Sequence, residues 1–259
     1  MQNNTFSGDS PSQNIIVLDE IGSTNDYLKS ELSNFKPFAE WTAIMARHQT
    51  AGKGQRGNTW LVPPNKNLTF STFVLPKDLL LSQHFFLNIL VSLSICDWLE
   101  TQGLQAEIKW PNDIYLNGKK ICGILIENTA QGNNIRQSII GIGINVNQAE
   151  FPEEIQQRAS SILLETGKTT PSLEVACAQI LVHLQKRFFN FSGQKDDLDR
   201  LLEEYNKQLY LKGIPSFYSS ENKIFQGTIQ KVDNEGQLYL TINEKEKVFQ
   251  FKELKFLLQ

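Results

Sequence analysis

The stretch KWPNDIYLNGKKICGILIE, residues 109–127, decides the fold. Asn117 and Gly118 sit between two apolar runs, 114–116 and 121–127. An Asn-Gly pair suits both central positions of a two-residue hairpin turn, where φ must be positive. The two runs are therefore predicted to be neighbouring antiparallel strands. Working outward, 106–109 and 138–146 have the same texture, which extends the pattern to a mostly antiparallel sheet. Towards the N-terminus, 15–19 and 41–46 are short apolar runs, and 67–75 alternates polar with apolar. Ser23 or Thr24 caps a helix reaching about residue 32. Residues 82–102 are apolar on most faces, between Ser82 and Gly103, and predict a buried helix. Further helices are expected over 172–191 and 197–209.

From Gly213 the texture changes to short strands, 224–232, 237–242 and 247–251, separated by Asn-Glu-Gly and Asn-Glu-Lys turns. The expected fold class is α+β: a mobile tail over 1–13, a large domain over 14–211, and a small β-barrel over 212–259. The barrel is too small to bury much apolar surface alone. The chain has 259 residues, 40% of them hydrophobic, which excludes intrinsic disorder. A net charge of −3 argues against general coating of nucleic acid. Cys96, Cys122 and Cys177 are too scattered for a disulfide framework, and 1–11 carries no apolar signal core. Residues 85–99, the most apolar stretch, are too short and too polar to span a bilayer. A soluble, cytoplasmic protein is expected.

Three segments could carry chemistry. The first is QTAGKGQRGNTW, residues 49–60. Its glycines let backbone N–H groups converge on an anion, Lys53 and Arg56 add cations, and Trp60 offers a flat face. It matches neither the P-loop nor the dinucleotide fingerprint, and a plain surface turn is the competing reading. The second is the hairpin itself. Pro111 places Asn112 and Asp113 in a turn, and Lys120 enters an apolar strand where it must find an anion or lose hydration at large cost. Gly123, inside that strand, suggests the close approach of a ligand or backbone. The competing reading leaves Lys119 and Lys120 in solvent at a hairpin edge. The third is GIGINVN, residues 141–147, whose asparagines need partners in a buried strand, although Gly-x-Gly alone is weak evidence.

Taken together, and in this order, STN at 23–25, the loop 49–60, KWPND at 109–113, GKKICG at 118–123 and GIGIN at 141–145 resemble the catalytic domain of biotin protein ligases. The β-rich end is similar to that family's SH3-like C-terminal domain. The resemblance implies a class II synthetase-like fold. The implied activity is ATP-dependent attachment of biotin to a lysine of a biotin carboxyl carrier domain, through biotinyl-5′-AMP. It implies that Ser23, Thr24, Asn25, Gln49, Gly52, Lys120 and Gly123 form the biotin site. It also implies that Lys53, Gly54, Arg56, Gly57, Asn58, Trp60, Asn112, Asp113 and Asn145 form the ATP and adenylate site. Lys120, with Lys53 and Arg56, would be catalytic, and Asp113 would reach Mg²⁺ through the phosphates. ATP and Mg²⁺ act as cosubstrates, and no tightly held prosthetic group is implied.

One departure stands out: the commonest form of the loop has more arginines, whereas Gln55 and Asn58 fill two of those places here. Only 14 residues precede Ile15, too few for the DNA-binding helices some members carry, so ligation without operator binding is expected. Homodimers occur in the family and are an open expectation; DNA and membrane partners are not expected. Two rivals remain. One is a lipoate or octanoate ligase or transferase of the same fold, with Cys122 as a conceivable nucleophile but a better core residue. The other is a non-catalytic biotin or nucleotide sensor.

Overall fold

The computed structural model describes residues 4–7, 14–34, 38–77 and 79–257. Its main sheet has eight strands in the order β1-β2-β3-β4-β8-β7-β6-β5. These are β1 (Asn4–Ser7), β2 (Asn14–Ile21), β3 (Ala43–Gln49), β4 (Leu68–Val74), β5 (Glu107–Lys109), β6 (Asp113–Leu116), β7 (Lys119–Gln131) and β8 (Asn134–Ile144). All neighbouring pairs are antiparallel except β2 with β3. The β6–β7 hairpin turns on Asn117 and Gly118 with φ of 48° and 77°, the two positive values that the pair was chosen for.

Among the described residues five α-helices accompany the sheet: α1 (Thr24–Ser33), α2 (Phe85–Thr101), α3 (Ile162–Thr166), α4 (Leu173–Phe189) and α5 (Lys195–Lys207). Ser23 caps α1 and Ser172 caps α4, each accepting a backbone N–H three residues on. The sheet is covered on both faces. Leu28 of α1 packs with Leu18, Ile44, Phe73 and Ile139 on one side. α2, α4 and α5 bury Met45, Phe70, Ile140 and Ile142 on the other. β4 is accordingly buried at every position, so the alternation read over 67–75 does not mark a solvent face; Thr69 and Thr72 hydrogen-bond to backbone carbonyls instead. α2 is buried nearly all round, as its composition demands, and Ser94 satisfies its hydroxyl on Leu90 O.

A second, antiparallel sheet has the order β12-β11-β10-β9-β13, from β9 (Pro215–Ser220), β10 (Lys223–Val232), β11 (Leu238–Ile242), β12 (Lys245–Phe249) and β13 (Lys255–Phe256). β9, β13 and α3 lie outside the elements expected from the sequence. Its core is continuous with the main one, through Tyr218, Leu238 and Leu240. Asn206 of α5 exchanges two hydrogen bonds with Val232, and Trp110 Nε1 donates to Gly236 O. Gly236 has φ of 82° and lies against the Phe85 ring, which leaves no room for a side chain.

The tail expected over 1–13 is corrected in part. Asn4–Ser7 pair with β2 as an edge strand, while the rest of that stretch lies outside the described residues. Among the described residues no helix is long and apolar enough to cross a membrane.

Candidate functional site

β6 and β7 set the centre of the site through a bulge. Their register shifts between Ile114 and Tyr115, so that Tyr115 faces Lys120 while Ile114 faces Cys122. The extra residue reverses the phase of β7. Lys120 and Gly123, three apart, thereby come to one face, and a Cβ on Gly123 would lie 3.3 Å from Lys120 Nζ. Lys120 Nζ lies 2.6 Å from Asp113 Oδ1. The anion that the sequence required is thus supplied from the adjacent strand. The backbone of Lys120 is fixed on both sides, its N–H donating to Arg158 O and its carbonyl accepting from Ser160 N. Lys109 Nζ is 3.9 Å from Asp113 and stacks between Tyr115 and Phe256. Burial lowers the pKa of Lys109.

Three recesses meet at Lys120 and Trp60, which line all of them. The first runs from the N-terminus of α1 to the inner ends of β7 and β8. Its back wall is polar and buried: Gln49 Oε1 accepts from Thr24 N at 2.7 Å, and Ser71 Oγ lies 2.6 Å from Thr24 Oγ1 and 2.5 Å from Asn25 Oδ1. Its floor is bare backbone. A Cβ on Gly143 would run into the Trp60 indole, and one on Gly141 into Asn25. Gly52 is closed in by the Trp60 carbonyl, so the loop 50–60 folds down over this pocket. Among the described residues the buried Trp60 Nε1 has no hydrogen-bond partner, so a polar site there awaits one.

The second recess lies between the two sheets and is lined by Lys109, Lys120, Arg158, Lys252 and Lys255 against the single carboxylate Asp113. The third lies against Asn58, Leu61, Asn145, Phe151, Ile155 and Arg158. Asn145 is buried there and donates to Ser160 O, so its partner is a backbone carbonyl rather than an orphan. Asn112 donates to Ile124 O and thereby seats the turn that carries Asp113.

The structure therefore gathers Ser23, Thr24, Asn25, Gln49, Lys53, Trp60, Asn112, Asp113, Lys120 and Gly123 around the first pocket, with Asn58 and Asn145 in its neighbour. Gly57 lies apart from these linings, its φ of 85° serving the turn at 55–57. The Arg56 side chain lies outside the described residues. Lys53 pairs with Asp26 at 2.7 Å, which raises its pKa. Arg158, Ser71 and Glu127 were missed. Arg158 lies outside every motif quoted above, and Ser71 is masked by an apolar strand. Cys122 is fully buried and burial pushes its thiol well up, so it is no nucleophile.

Among the described residues no group of three or more His, Cys, Asp or Glu could hold a metal alone. Asp113, flanked by two ammonium groups, fits Mg²⁺ only where phosphate oxygens complete the shell.

A pocket floored by glycine backbone thus adjoins a cationic cleft and a third recess of mixed polar and apolar lining on an α+β sheet. The biotin/lipoate A/B protein ligase family matches residues 17–145, and the chain belongs to it. The bifunctional ligase/repressor BirA of Bacillus subtilis is 33% identical over 237 residues, covering 90% of this chain and 70% of that one. The biotin--[acetyl-CoA-carboxylase] ligase of Mycobacterium tuberculosis is 26% identical over 186 residues, covering 70% and 66%. Biotin protein ligase from Aquifex aeolicus in complex with biotin and ATP superposes with a TM-score of 0.75 at 28% identity, over 93% of this chain and 98% of that one.

Proposed function

We propose that this protein is an ATP-dependent biotin ligase acting on a biotin carboxyl carrier protein. Membership of the family, the Aquifex aeolicus structure with biotin and ATP, and the acetyl-CoA-carboxylase ligases among the relatives support this reading. The observation that carries it is the position of Lys120, where the three recesses meet.

In the first step a biotin carboxylate oxygen attacks the α-phosphorus of ATP; a P–O bond forms and pyrophosphate leaves. The carboxylate is already ionised at neutral pH, so no general base is needed, and none of the three histidines lines the first pocket. What the step requires is fixed positive charge where negative charge gathers on phosphoryl oxygens. Lys120 supplies it from a backbone pinned on both sides, with Asp113 orienting the ammonium. Lys53 and Arg56 bring further charge on the glycine-rich loop. Mg²⁺ bound to the phosphates, with Asp113 as its protein carboxylate, would neutralise the polyphosphate. In the second step the carrier lysine amine attacks the acyl carbon and AMP leaves. The loop 50–60, folded down onto the pocket, keeps water from the mixed anhydride in the interval.

The division of the chain near residue 212 into a catalytic part and an SH3-like part belongs to the same proposal, as does a cytoplasmic location. Incubation with ATP, Mg²⁺ and either biotin or lipoate, with pyrophosphate measured, tests the reading. Release with biotin and not with lipoate supports it. Release with lipoate alone gives the lipoate rival, and binding of biotin without any release gives the sensor.

A further inference from the structure

Behind the first pocket the hydrogen-bond distances favour one arrangement of protons. Asn25 faces Glu127 Oε2 at 2.9 Å, and a carboxylate only accepts, so the Asn25 amide nitrogen points to Glu127 and Oδ1 points to Ser71. Lys29 Nζ lies 3.5 Å from the other oxygen of Glu127. Ser71 Oγ stands 2.5 Å from Asn25 Oδ1 and 2.6 Å from Thr24 Oγ1, with a single proton for two short contacts. The two hydroxyl protons of Ser71 and Thr24 must serve three oxygen contacts, and the shortest, Ser71 to Asn25 Oδ1, takes the Ser71 proton. The contact with Thr24 then needs the Thr24 proton. The longest of the three oxygen contacts, Thr24 Oγ1 to Gln49 Oε1 at 3.0 Å, is then the one left without a bridging proton, and Gln49 Oε1 keeps the Thr24 N–H at 2.7 Å. Thr24, Asn25, Gln49 and Ser71 are all buried, so water does not scramble the order.

We propose that Glu127, through Asn25 and Ser71, commits the Thr24 hydroxyl proton inward, so that the pocket presents Thr24 Oγ1 to its ligand as an acceptor only. Such a wall selects a ligand head with an N–H donor, as a cyclic urea has, and rejects one offering an oxygen there. Glu127 and Ser71 are positioning residues in this scheme. Gly141 belongs to it too, since any Cβ at that position would occupy the space of Asn25 Oδ1. The inference rests on the biotin-ligase reading and deepens it.

The test compares the wild-type protein with Glu127→Leu, which removes the terminal acceptor at a half-exposed position, and with Ser71→Ala. Adenylation is followed by pyrophosphate release with biotin and with the biotin analogue in which one ureido N–H is replaced by oxygen. Each variant should raise the biotin KM about tenfold, the scale of one net hydrogen bond, while the ATP KM stays within twofold. The preference for biotin over the oxygen analogue should fall by a similar factor. An unchanged biotin KM and preference in both variants would overturn the relay, as would biotin and ATP KM rising together. If the wild-type protein releases no pyrophosphate with biotin, the failure lies in the proposed activity and not in the relay.

Discussion

Lys120 Nζ and Asp113 Oδ1 lie 2.6 Å apart on neighbouring strands, joined across the bulge that also turns Gly123 to the same face. The pair does two jobs at once. The carboxylate spares the lysine an unpaired charge in a half-buried position, and it holds the ammonium where three recesses converge. An incoming anion can then share the ammonium without reorganising the backbone, which is the condition for efficient electrostatic catalysis.

Replacing Lys120 by Ala should cut adenylate formation on the order of 10²–10³-fold, the usual effect of removing one preorganised donor. The fold should survive, because the backbone bonds of Lys120 to Arg158 and Ser160 do not involve the side chain. Pyrophosphate release and thermal melting, measured side by side, separate these effects. A fully active K120A protein would remove Lys120 from the mechanism.

A methyl group at Gly143 has no place to go except into the Trp60 indole. Gly143→Ala should therefore displace Trp60 from the pocket floor and lift the loop 50–60. The cost in stability should be about 1–3 kcal/mol, as for other overpacked sites. Tryptophan fluorescence should shift towards the exposed range and biotin affinity should drop. An unshifted spectrum with native affinity would show that the floor can yield.

How much of this was legible beforehand follows from how local each signal is. The β6–β7 hairpin, the Ser23 cap and the buried α2 were readable because each rests on a few adjacent residues. Asp113 and Lys120 were each singled out, yet their contact was not, since it depends on a one-residue bulge that no spacing rule announces. Ser71 looked like an ordinary small residue in a strand; only the approach of Asn25 and Thr24 from α1 makes it a hub. Arg158 reaches the site through backbone pairing of 158–160 with Lys120, a contact between segments nearly forty positions apart. The edge strand Asn4–Ser7 escaped because it is short, polar and paired to a strand that is itself complete without it.

His183 supplies a pH dependence with a definite sign. Burial, the largest influence, lowers its pKa from the usual 6.5. The unfolded chain therefore takes up this proton first as pH falls. The associated stability is fully present above about 6.5, is lost as pH drops below that value, and levels off below the folded pKa. A His183→Gln variant should show a flatter decline in Tm than the wild-type protein between pH 7 and 5. Parallel curves would mean that His183 contributes nothing in that window.

The loop 50–60 must hold a reactive anhydride with fewer cations than the family's commonest pattern provides. Gln55 and Asn58 stand where arginines are usual, and Gln55 Nε2 reaches Ile124 O at 3.5 Å, a weak tether to β7. Lys53 is paired with Asp26, and in the proposed mechanism it would exchange that partner for phosphate when the nucleotide arrives. Retention then depends on closure more than on charge: Gly52 fits under the Trp60 carbonyl, and Gly54 N donates to Asn58 O to shut the turn at 55–57. The wild-type protein should accordingly biotinylate its carrier while leaving a lysine-rich bystander protein almost untouched. Gly54→Val, whose side chain must crowd Asn58 at a Cβ distance of 3.3 Å, should loosen the turn and raise bystander labelling relative to carrier labelling. Streptavidin blots of both proteins from one reaction give the ratio. Heavy bystander labelling by the wild-type protein would show that this loop does not retain the adenylate, and an unchanged ratio in G54V would detach retention from the turn.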